Sequence, residues 1–263
     1  MAEALVERAD ADGIIRLTLN RPEALNALSS PMMDALHSRL DAVATDRTAR
    51  VVVLSAQGRA FCAGHDLREI QASRQAEDGG RGAYATLFAQ CSRLMTAITR
   101  LPQPVIAEVQ GIATAAGCQL VASCDMAVAS DQARFGVNGV DIGLFCSTPM
   151  VALSRNIGRK KAFEMLSTGG FLSAAEAEAA GLVNRVVPAD RLVPETEALA
   201  GRVASKVPVA IRHGKRAFYE QAEMPLDQAY AFTARVIAEN LMEPETAEGL
   251  QAFLEKRPPD WER

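Results

Sequence analysis

Val51-Val-Val-Leu54 leads to Phe61-Cys-Ala-Gly-His-Asp-Leu67, and Val105-Ile-Ala-Glu-Val109 leads to Gly111-Ile-Ala-Thr-Ala-Ala-Gly-Cys-Gln-Leu120. In each stretch a short apolar run is followed by small residues and then by the start of a helix. Continuous apolar runs rich in β-branched residues are typical of strands that are buried on both faces. The repeated order of strand, loop and helix therefore predicts an α/β core.

Strands and helices alternate only through the first part of the chain. Gly13–Asn20 and Met126–Ala129 have the composition of two further strands, and helices are expected from Ser30 and from about Ala83. From Val193 onward the sequence is mainly helical and has too few apolar runs to extend the sheet. We therefore expect one domain over residues 1–263, with an α/β core over about 1–192 and a helical C-terminal region over about 193–263.

The composition argues against several classes of protein. The net charge is −4 and no basic stripe is present, so we expect no nucleic-acid partner. No run of about 18 apolar residues could span a bilayer. The acidic segment Met1–Asp12 lacks the apolar core of a signal peptide. We therefore expect a soluble, cytoplasmic protein without a membrane span.

Cysteine and histidine spacing gives no sign of a metal site. The five cysteines are scattered and odd in number, which fits neither a disulfide framework nor a metal-binding knuckle. The three histidines, His37, His65 and His213, share no ligand motif. We expect reduced thiols and no metal ion.

Small residues in the two quoted loops suggest a binding function for the main chain. Ala63 and Gly64 in the first loop, and Ala116 and Gly117 in the second, let a ligand approach the backbone. The first N–H groups of a helix lack intrahelical acceptors, so both loops could donate to one oxyanion. The alternative is that the small residues only permit close packing.

An ordered set of motifs spans nearly the whole chain. It comprises Asn20-Arg-Pro-Glu-Ala-Leu-Asn-Ala-Leu28, Phe61–Leu67, Pro104–Gly111, Cys124-Asp125, Phe135-Gly136 and Ala180–Val187. In this order the motifs resemble those of the crotonase superfamily, the enoyl-CoA hydratase and isomerase fold. Gly111–Asp125 and Gly143–Pro149 are most similar to the subgroup called enoyl-CoA hydratase domain-containing protein 3.

The resemblance implies a fold, an assembly and a ligand. The implied fold is a crotonase-like spiral of ββα units with a helical C-terminal trimerisation region. The implied assembly is a homotrimer or a hexamer. The implied ligand is an acyl-CoA of fatty acid metabolism, with coenzyme A as part of the substrate and no cofactor bound covalently.

The resemblance also implies roles for individual residues. Ala63 and Ala116 would supply the oxyanion N–H groups. The residues expected to contact coenzyme A are Glu23, Ala24 and Leu25 near the nucleotide, Ala63, Gly64, His65 and Asp66 beside the pantetheine arm, and Lys256 at a phosphate. Asp66 could instead cap a helix and Lys256 could be a solvated charge. His65 could be a contact at the pocket edge or a general base.

The sequence departs from the family at two catalytic glutamates, which the resemblance expects to hold and split one water. The first position falls on Gln119 and the second on Gly139. A glutamine orients water but cannot take its proton, and glycine has no side chain, so we expect weak hydration by the usual route. Asp141 or Glu108 could substitute as an acid or base, or could have a structural role.

Three functions remain open at this point. One is an enzyme that acts on an acyl-CoA through an enolate, by hydration, isomerisation or a related lyase step, with Asp141 or a water held by Gln119 assisting. The second is a non-catalytic acyl-CoA-binding or regulatory protein, and the third is an acyl-CoA thioester hydrolase. We favour the enzyme, because oxyanion donors would serve no purpose in passive binding.

Overall fold

Ten strands form two sheets in the computed structural model, which describes residues 4–261. They are β1 (Val6–Ala11), β2 (Ile14–Leu19), β3 (Val51–Ala56), β4 (Ala60–Cys62), β5 (Val105–Val109), β6 (Ile112–Thr114), β7 (Met126–Ser130), β8 (Arg134–Gly136), β9 (Phe171–Ser173) and β10 (Arg185–Val187). The main sheet has the order β1-β2-β3-β5-β7-β10 and is parallel except for the β1-β2 pair. The second sheet has the order β4-β6-β8-β9 and is parallel except for the β8-β9 pair.

Three successive segments share one pattern, in which a strand of the main sheet is followed by a strand of the second sheet and then by a helix. β3 is followed by β4, β5 by β6, and β7 by β8. The link between β5 and β6 is Gln110-Gly111, and a Cβ at Gly111 would overlap the carbonyl oxygen of Arg59. The predicted α/β core is confirmed, and its repeating element is a ββα unit.

The helices cover both faces of the main sheet and fill the C-terminal part of the described chain. They are α1 (Ser30–Ala44), α2 (Leu67–Ser73), α3 (Arg81–Arg100), α4 (Ala116–Ser123), α5 (Pro149–Asn156), α6 (Arg159–Thr168), α7 (Ala174–Ala180), α8 (Leu192–Ala204), α9 (Pro208–Gln221), α10 (Leu226–Leu241) and α11 (Pro244–Glu255). Short 3₁₀ turns occur at Pro22–Ala24, Asn138–Ile142 and Ala189–Arg191.

The central strands are apolar because both of their faces are buried. Val52 and Leu54 of β3 face the larger core, which contains α1, α3 and α4. Val51 and Val53 face the opposite side, where they pack with Ile106 of β5 and with α8. This two-sided burial explains the continuous apolar runs from which the sequence predicted these strands.

The boundary expected at residues 192 and 193 does not separate the sheet from the C-terminal helices. Leu192, Leu199 and Ala200 of α8 pack directly against β3, β5 and β7 of the main sheet, so α8 belongs to the core. The helical C-terminal region outside the core therefore starts with α9. The sequence placed this boundary too early. An amphipathic helix that packs on the sheet has the same hydrophobic period as an amphipathic helix outside the core, so the sequence pattern does not distinguish them.

Two negative findings apply to residues 4–261. No helix in this part of the chain is both long enough and apolar enough to cross a membrane. The same residues contain no group of three or more histidine, cysteine or acidic side chains that could hold a metal ion. The five cysteines are buried and form no disulfide.

The contact between α4 and β4 yields a stability prediction. A Cβ at Gly117 would overlap the carbonyl oxygen of Cys62, whereas a Cβ at Gly201 in α8 would meet no atom within 4 Å. Gly117→Ala should lower the free energy of unfolding by about 3 kcal/mol or more, because the α4 backbone must move away from β4. The matched variant Gly201→Ala should raise it by up to about 1 kcal/mol. Urea unfolding measures both, and equal stabilities would contradict the packing described.

Candidate active site

The two loops quoted at the start meet at the N-terminus of α4. Gly64 has a φ of +90°, and a Cβ there would lie 2.9 Å from the Cβ of Ala115 and 3.3 Å from the amide nitrogen of Ala116. The first loop therefore passes over the start of α4 with almost no side chain between the two backbones. Glycine is required at position 64 both for its backbone conformation and for this close approach.

The amide of Ala63 is not available to a ligand, which corrects the expectation from the sequence. Its N–H donates to the carbonyl oxygen of Leu25 at 3.0 Å. Leu25 has a left-handed backbone conformation with a φ of 51°, at the end of the 3₁₀ turn Pro22–Ala24. Because an N–H group carries one proton, this bond uses the only donor that Ala63 has.

The amides of His65 and Ala116 lack such acceptors. Within residues 4–261, neither N–H donates to a backbone carbonyl or to a side chain. Ala116 is the first residue of α4, so its N–H has no intrahelical partner. His65 lies beside Leu28, where the Leu28 amide donates to the Gly64 carbonyl at 2.7 Å and the His65 amide stays unpaired. The available donors are therefore those of His65 and Ala116.

Ala115 has an unusual backbone conformation directly before this donor. Its φ is 50° and its ψ is −119°, although it is not a glycine. Its amide donates to the carbonyl of Gly136 at 2.9 Å, which ties the turn to β8. Sparsely populated conformations of this kind are found mostly at functional sites, and here the turn directs the Ala116 N–H out of the helix start.

The segment that follows β2 runs alongside the first loop. Arg21 and Asp66 form an ion pair at 3.1 Å, in addition to the bonds that join Leu25 to Ala63 and Leu28 to Gly64. Glu23, Ala24 and Leu25 therefore lie beside Ala63–Asp66, as their shared assignment to coenzyme A requires. The other oxygen of Asp66 accepts from the Arg68 amide at 3.0 Å, so this carboxylate caps α2.

The imidazole of His65 is neutral and oriented by the main chain. Its Nδ1 lies 3.2 Å from the Leu28 carbonyl, which only accepts, so the proton is on Nδ1 and Nε2 is unprotonated. Among the described residues, Nε2 is buried and has no hydrogen-bond partner. The imidazole ring packs edge-to-face against the Phe88 ring, with 5.4 Å between the ring centroids. Burial lowers the pKa of His65 below its ordinary value.

Gln119 lies one turn along α4 from Ala116 and is buried. Its Oε1 atom accepts from the Cys91 thiol at 3.9 Å, and burial raises the pKa of that thiol to about 12. Gln119 also lines a cavity of about 600 Å³, which α3, α4, α5 and α9 enclose. The structure therefore places Gln119 on the helix that begins at Ala116, three residues from that amide.

Gly139 and Asp141 lie in the 3₁₀ turn after β8. A Cβ at Gly139 would overlap the carbonyl oxygen of Leu144 and lie 2.9 Å from Cys146 Sγ, so this position has no room for a side chain. Asp141 is exposed. Its carboxylate lies next to Gly169 at the end of α6, so close that a Cβ added to Gly169 would be 2.8 Å from Asp141 Oδ1. No hydrogen bond among the described residues joins Asp141 to either loop, which argues against the catalytic role considered for it.

Two other charged candidates are also placed away from the free amides. Glu108 forms a bidentate ion pair with Arg16, at 2.6 and 3.2 Å, on the face of the main sheet that α8 covers. It has a structural role. Lys256 is exposed and caps α11 in a left-handed conformation with a φ of 56°, so it follows the helix instead of lying on it. A phosphate contact by Lys256 stays a prediction.

The model of the family described as enoyl-CoA hydratase/isomerase matches residues 9–263. The chain belongs to this family. Its ten strands and its helices have the crotonase fold, which confirms the resemblance recognised in the motifs.

The relatives support the subgroup as well as the family. The chain is 47% identical over 249 residues to "Enoyl-CoA hydratase domain-containing protein 3, mitochondrial" of Xenopus laevis, covering 95% of this chain and 83% of that protein. The crystal structure of the human protein of that name has a TM-score of 0.93 at 44% identity, covering 98% and 100% of the two chains. The structure of an enoyl-CoA hydratase of Mycobacterium smegmatis has a TM-score of 0.95 at 53% identity, covering 99% and 100%.

The sequence missed one candidate group, the main-chain amide of His65. The small residues pointed to the loop that contains it but not to the donor itself. The deciding bond joins Ala63 to Leu25, which is 38 residues away, and no local signal shows it. The only indication in the sequence is the glycine at position 64, which allows the chain to turn just before His65.

The buried imidazole predicts a pH-dependent stability. The unfolded histidine titrates near 6.5, and burial lowers the pKa of folded His65, so the unfolded chain binds more protons as the pH falls through this range. The free energy of unfolding should fall between pH 7 and pH 5. His65→Gln should make this slope shallower, by at most about 1.4 kcal/mol per pH unit.

Urea unfolding at a series of pH values measures this slope. His37→Gln, on the outer side of α1, controls for the loss of one histidine. If His65→Gln leaves the slope unchanged, burial of a neutral imidazole is not the cause of the pH dependence.

Proposed function

We propose that this protein binds acyl-CoA thioesters and stabilises the enolate of the thioester through the N–H groups of His65 and Ala116. The observation that carries the proposal is that these two amides have no acceptor within residues 4–261 and lie on loops in direct contact. Negative charge develops on the enolate oxygen in the transition state, and preorganised donors stabilise it without reorganising. Coenzyme A is part of the substrate, and no covalently bound cofactor is needed for this chemistry.

The coenzyme would follow the groove between two adjacent segments. Glu23–Leu25 and Ala63–Asp66 lie side by side, held by the Arg21–Asp66 ion pair and by backbone hydrogen bonds. The pantetheine arm would then reach the His65 amide from the first loop. Lys256 stays a candidate for a phosphate contact on the strength of its exposed ammonium group.

Hydration is proposed to be weak, because no carboxylate within residues 4–261 is hydrogen-bonded to Gln119 or Gly139, the positions of the two family glutamates. The Gln119 amide orients water but takes no proton, and Gly139 has no side chain and no space for one. The Asp141 carboxylate lies at Gly169, at the end of α6. We therefore favour an acyl-CoA-processing enzyme with an enolate intermediate and reduced or altered lyase activity.

A non-catalytic acyl-CoA-binding protein is the second candidate. The observation that favours it is the absence of an unpaired carboxylate among the described residues around the two amides. Thioester hydrolysis would need an activated water or a nucleophile. Burial raises the pKa of Cys62, Cys91 and Cys118 to about 12 and keeps these thiols protonated, so none of the three is a ready nucleophile.

We also propose that the protein is a homotrimer or a hexamer. Large apolar side chains on α10 and α11 are exposed in the single chain, and contiguous patches of this kind mark protein interfaces. They are Tyr230, Ile237, Leu241, Met242, Leu250, Phe253 and Leu254. A cytoplasmic location stays an expectation.

The direct test combines binding and turnover on the same samples. Crotonyl-CoA and longer enoyl-CoAs are titrated by calorimetry, while the loss of the conjugated enoyl absorbance reports hydration. Binding with slow absorbance loss supports the enzyme, and binding without any product supports the second candidate. Absence of binding to every acyl-CoA would overturn the proposal.

Replacing Ala116 with lactic acid tests the oxyanion donor, because the backbone amide becomes an ester and only the N–H is lost. Turnover, or the affinity for an enolate-mimicking acyl-CoA, should fall by about 10² or more. The matched control, the same amide-to-ester change at Arg159 at the start of α6, should leave both unchanged. Equal losses in the two variants would point to unfolding instead of a lost donor.

Gln119→Glu tests the missing acid or base. A carboxylate one turn from the Ala116 amide should raise hydration of crotonyl-CoA by at least about tenfold, which is part of the range that a positioned acid or base contributes. Gly139→Glu should lower stability instead, since its side chain would displace Leu144 or Cys146. Gln228→Glu on the exposed face of α10 is the control. Unchanged hydration in Gln119→Glu with intact binding would show that position 119 is not beside the β-carbon.

A further inference from the structure

Two cavities adjoin at one tyrosine of α9. The near cavity, of about 600 Å³, begins at Gln119 and extends along α4 to Asp125. The far cavity, of about 890 Å³, lies between the end of α3 and α9. Three residues line both: Thr99, Tyr219 and Glu223. These three side chains form the partition between the two cavities. Tyr219 has the only ring among them and is the largest of the three.

Hydrogen bonds hold the Tyr219 ring in place. Its hydroxyl donates to Asp125 Oδ1 at 2.9 Å, and the other oxygen of Asp125 accepts from Lys215 at 2.6 Å. The Lys215 ammonium also donates to the carbonyls of Ile98 and Gln103, each at 3.0 Å, so all three of its protons are used. Lys215 is buried, with 9% of its surface exposed. The partition is therefore fixed to the ends of α3 and α4.

We propose that the near cavity holds the acyl chain and that Tyr219 limits the chain length, an inference that rests on the proposed function. Gln119 is one helical turn, or about 4.5 Å along the axis, from the Ala116 amide at which the thioester oxygen would bind. Carbons beyond the carbonyl would enter the near cavity between Met95, Ala122, Ala152 and Phe218. These side chains offer apolar surface to a hydrocarbon chain.

The depth of the near cavity fits a medium-length chain. From Ala116 to Ser123 the axis of α4 extends about 10 Å, at 1.5 Å per residue. A hexanoyl or octanoyl chain fills this length and then reaches Tyr219. A longer chain must displace the tyrosine, which its hydrogen bond to Asp125 holds in place, so longer chains gain no affinity.

The test measures dissociation constants of saturated acyl-CoAs, from acetyl-CoA to palmitoyl-CoA, by calorimetry on the intact protein. Saturated chains avoid turnover. Affinity should rise by up to about fourfold per methylene as far as octanoyl-CoA and then level off. In Tyr219→Ala the rise should continue, so that dodecanoyl-CoA binds at least tenfold more tightly than to the unchanged protein, with acetyl-CoA binding the same.

Two further variants keep the inference testable if Tyr219→Ala is unstable. Ala152→Phe on α5 fills the near cavity and should weaken octanoyl-CoA at least tenfold while acetyl-CoA binds normally. Tyr219→Phe retains the ring and should retain the limit at octanoyl-CoA.

The outcomes separate this inference from the function on which it rests. If acyl-CoAs bind but their affinities do not depend on chain length, or if Ala152→Phe weakens no chain, the near cavity is not the acyl site. If a folded Tyr219→Ala keeps the limit at octanoyl-CoA, Tyr219 is not the partition. If no acyl-CoA binds at all, including acetyl-CoA, the proposed function itself is wrong.

Discussion

The close approach of two backbones, β4 with its loop against the start of α4, is the constraint on which the candidate site depends. Gly117 lies against the Cys62 carbonyl and Gly64 lies over Ala116, so neither position tolerates a side chain. This approach brings two chain turns together in the densely packed interior, where most amides are paired. Because the approach occurs at a helix start and just after a turn, it leaves the N–H groups of His65 and Ala116 without acceptors in the part of the chain that the structure describes.

Three carboxylates in this part of the molecule stabilise the fold and are not available as catalytic groups. Glu108 pairs with an arginine under α8, Asp66 caps α2, and Asp125 anchors α9 through a buried lysine. Each of these carboxylates is held by positive or N–H partners, so none is left to act as a base near the amides. The site consequently offers strong hydrogen-bond donors and a neutral amide at Gln119, a combination that suits stabilising an anion more than moving a proton.

Helix α9 connects the interior to the C-terminal helices. Its buried lysine binds carbonyls at the end of α3, where helix carbonyls lack intrahelical partners, and it neutralises Asp125 at the end of α4. The same helix forms one wall of the cavity that starts at Gln119. Stability of the C-terminal region and the shape of the cavity thus depend on one cluster of polar contacts.

The sequence by itself determined the buried strands, the alternation of strands and helices and the family, and it pointed to the two loops of the candidate site. Apolar runs and glycines act locally, through burial on both faces and through backbone conformations that only small residues accept. Tertiary structure alone decided that His65 and not Ala63 supplies the free amide, that Gly139 has no space for a glutamate, and that α8 belongs to the core. These features depend on atoms that are distant along the chain, such as the Leu25 carbonyl that pairs with Ala63, and residue patterns do not record which distant groups have already found a partner.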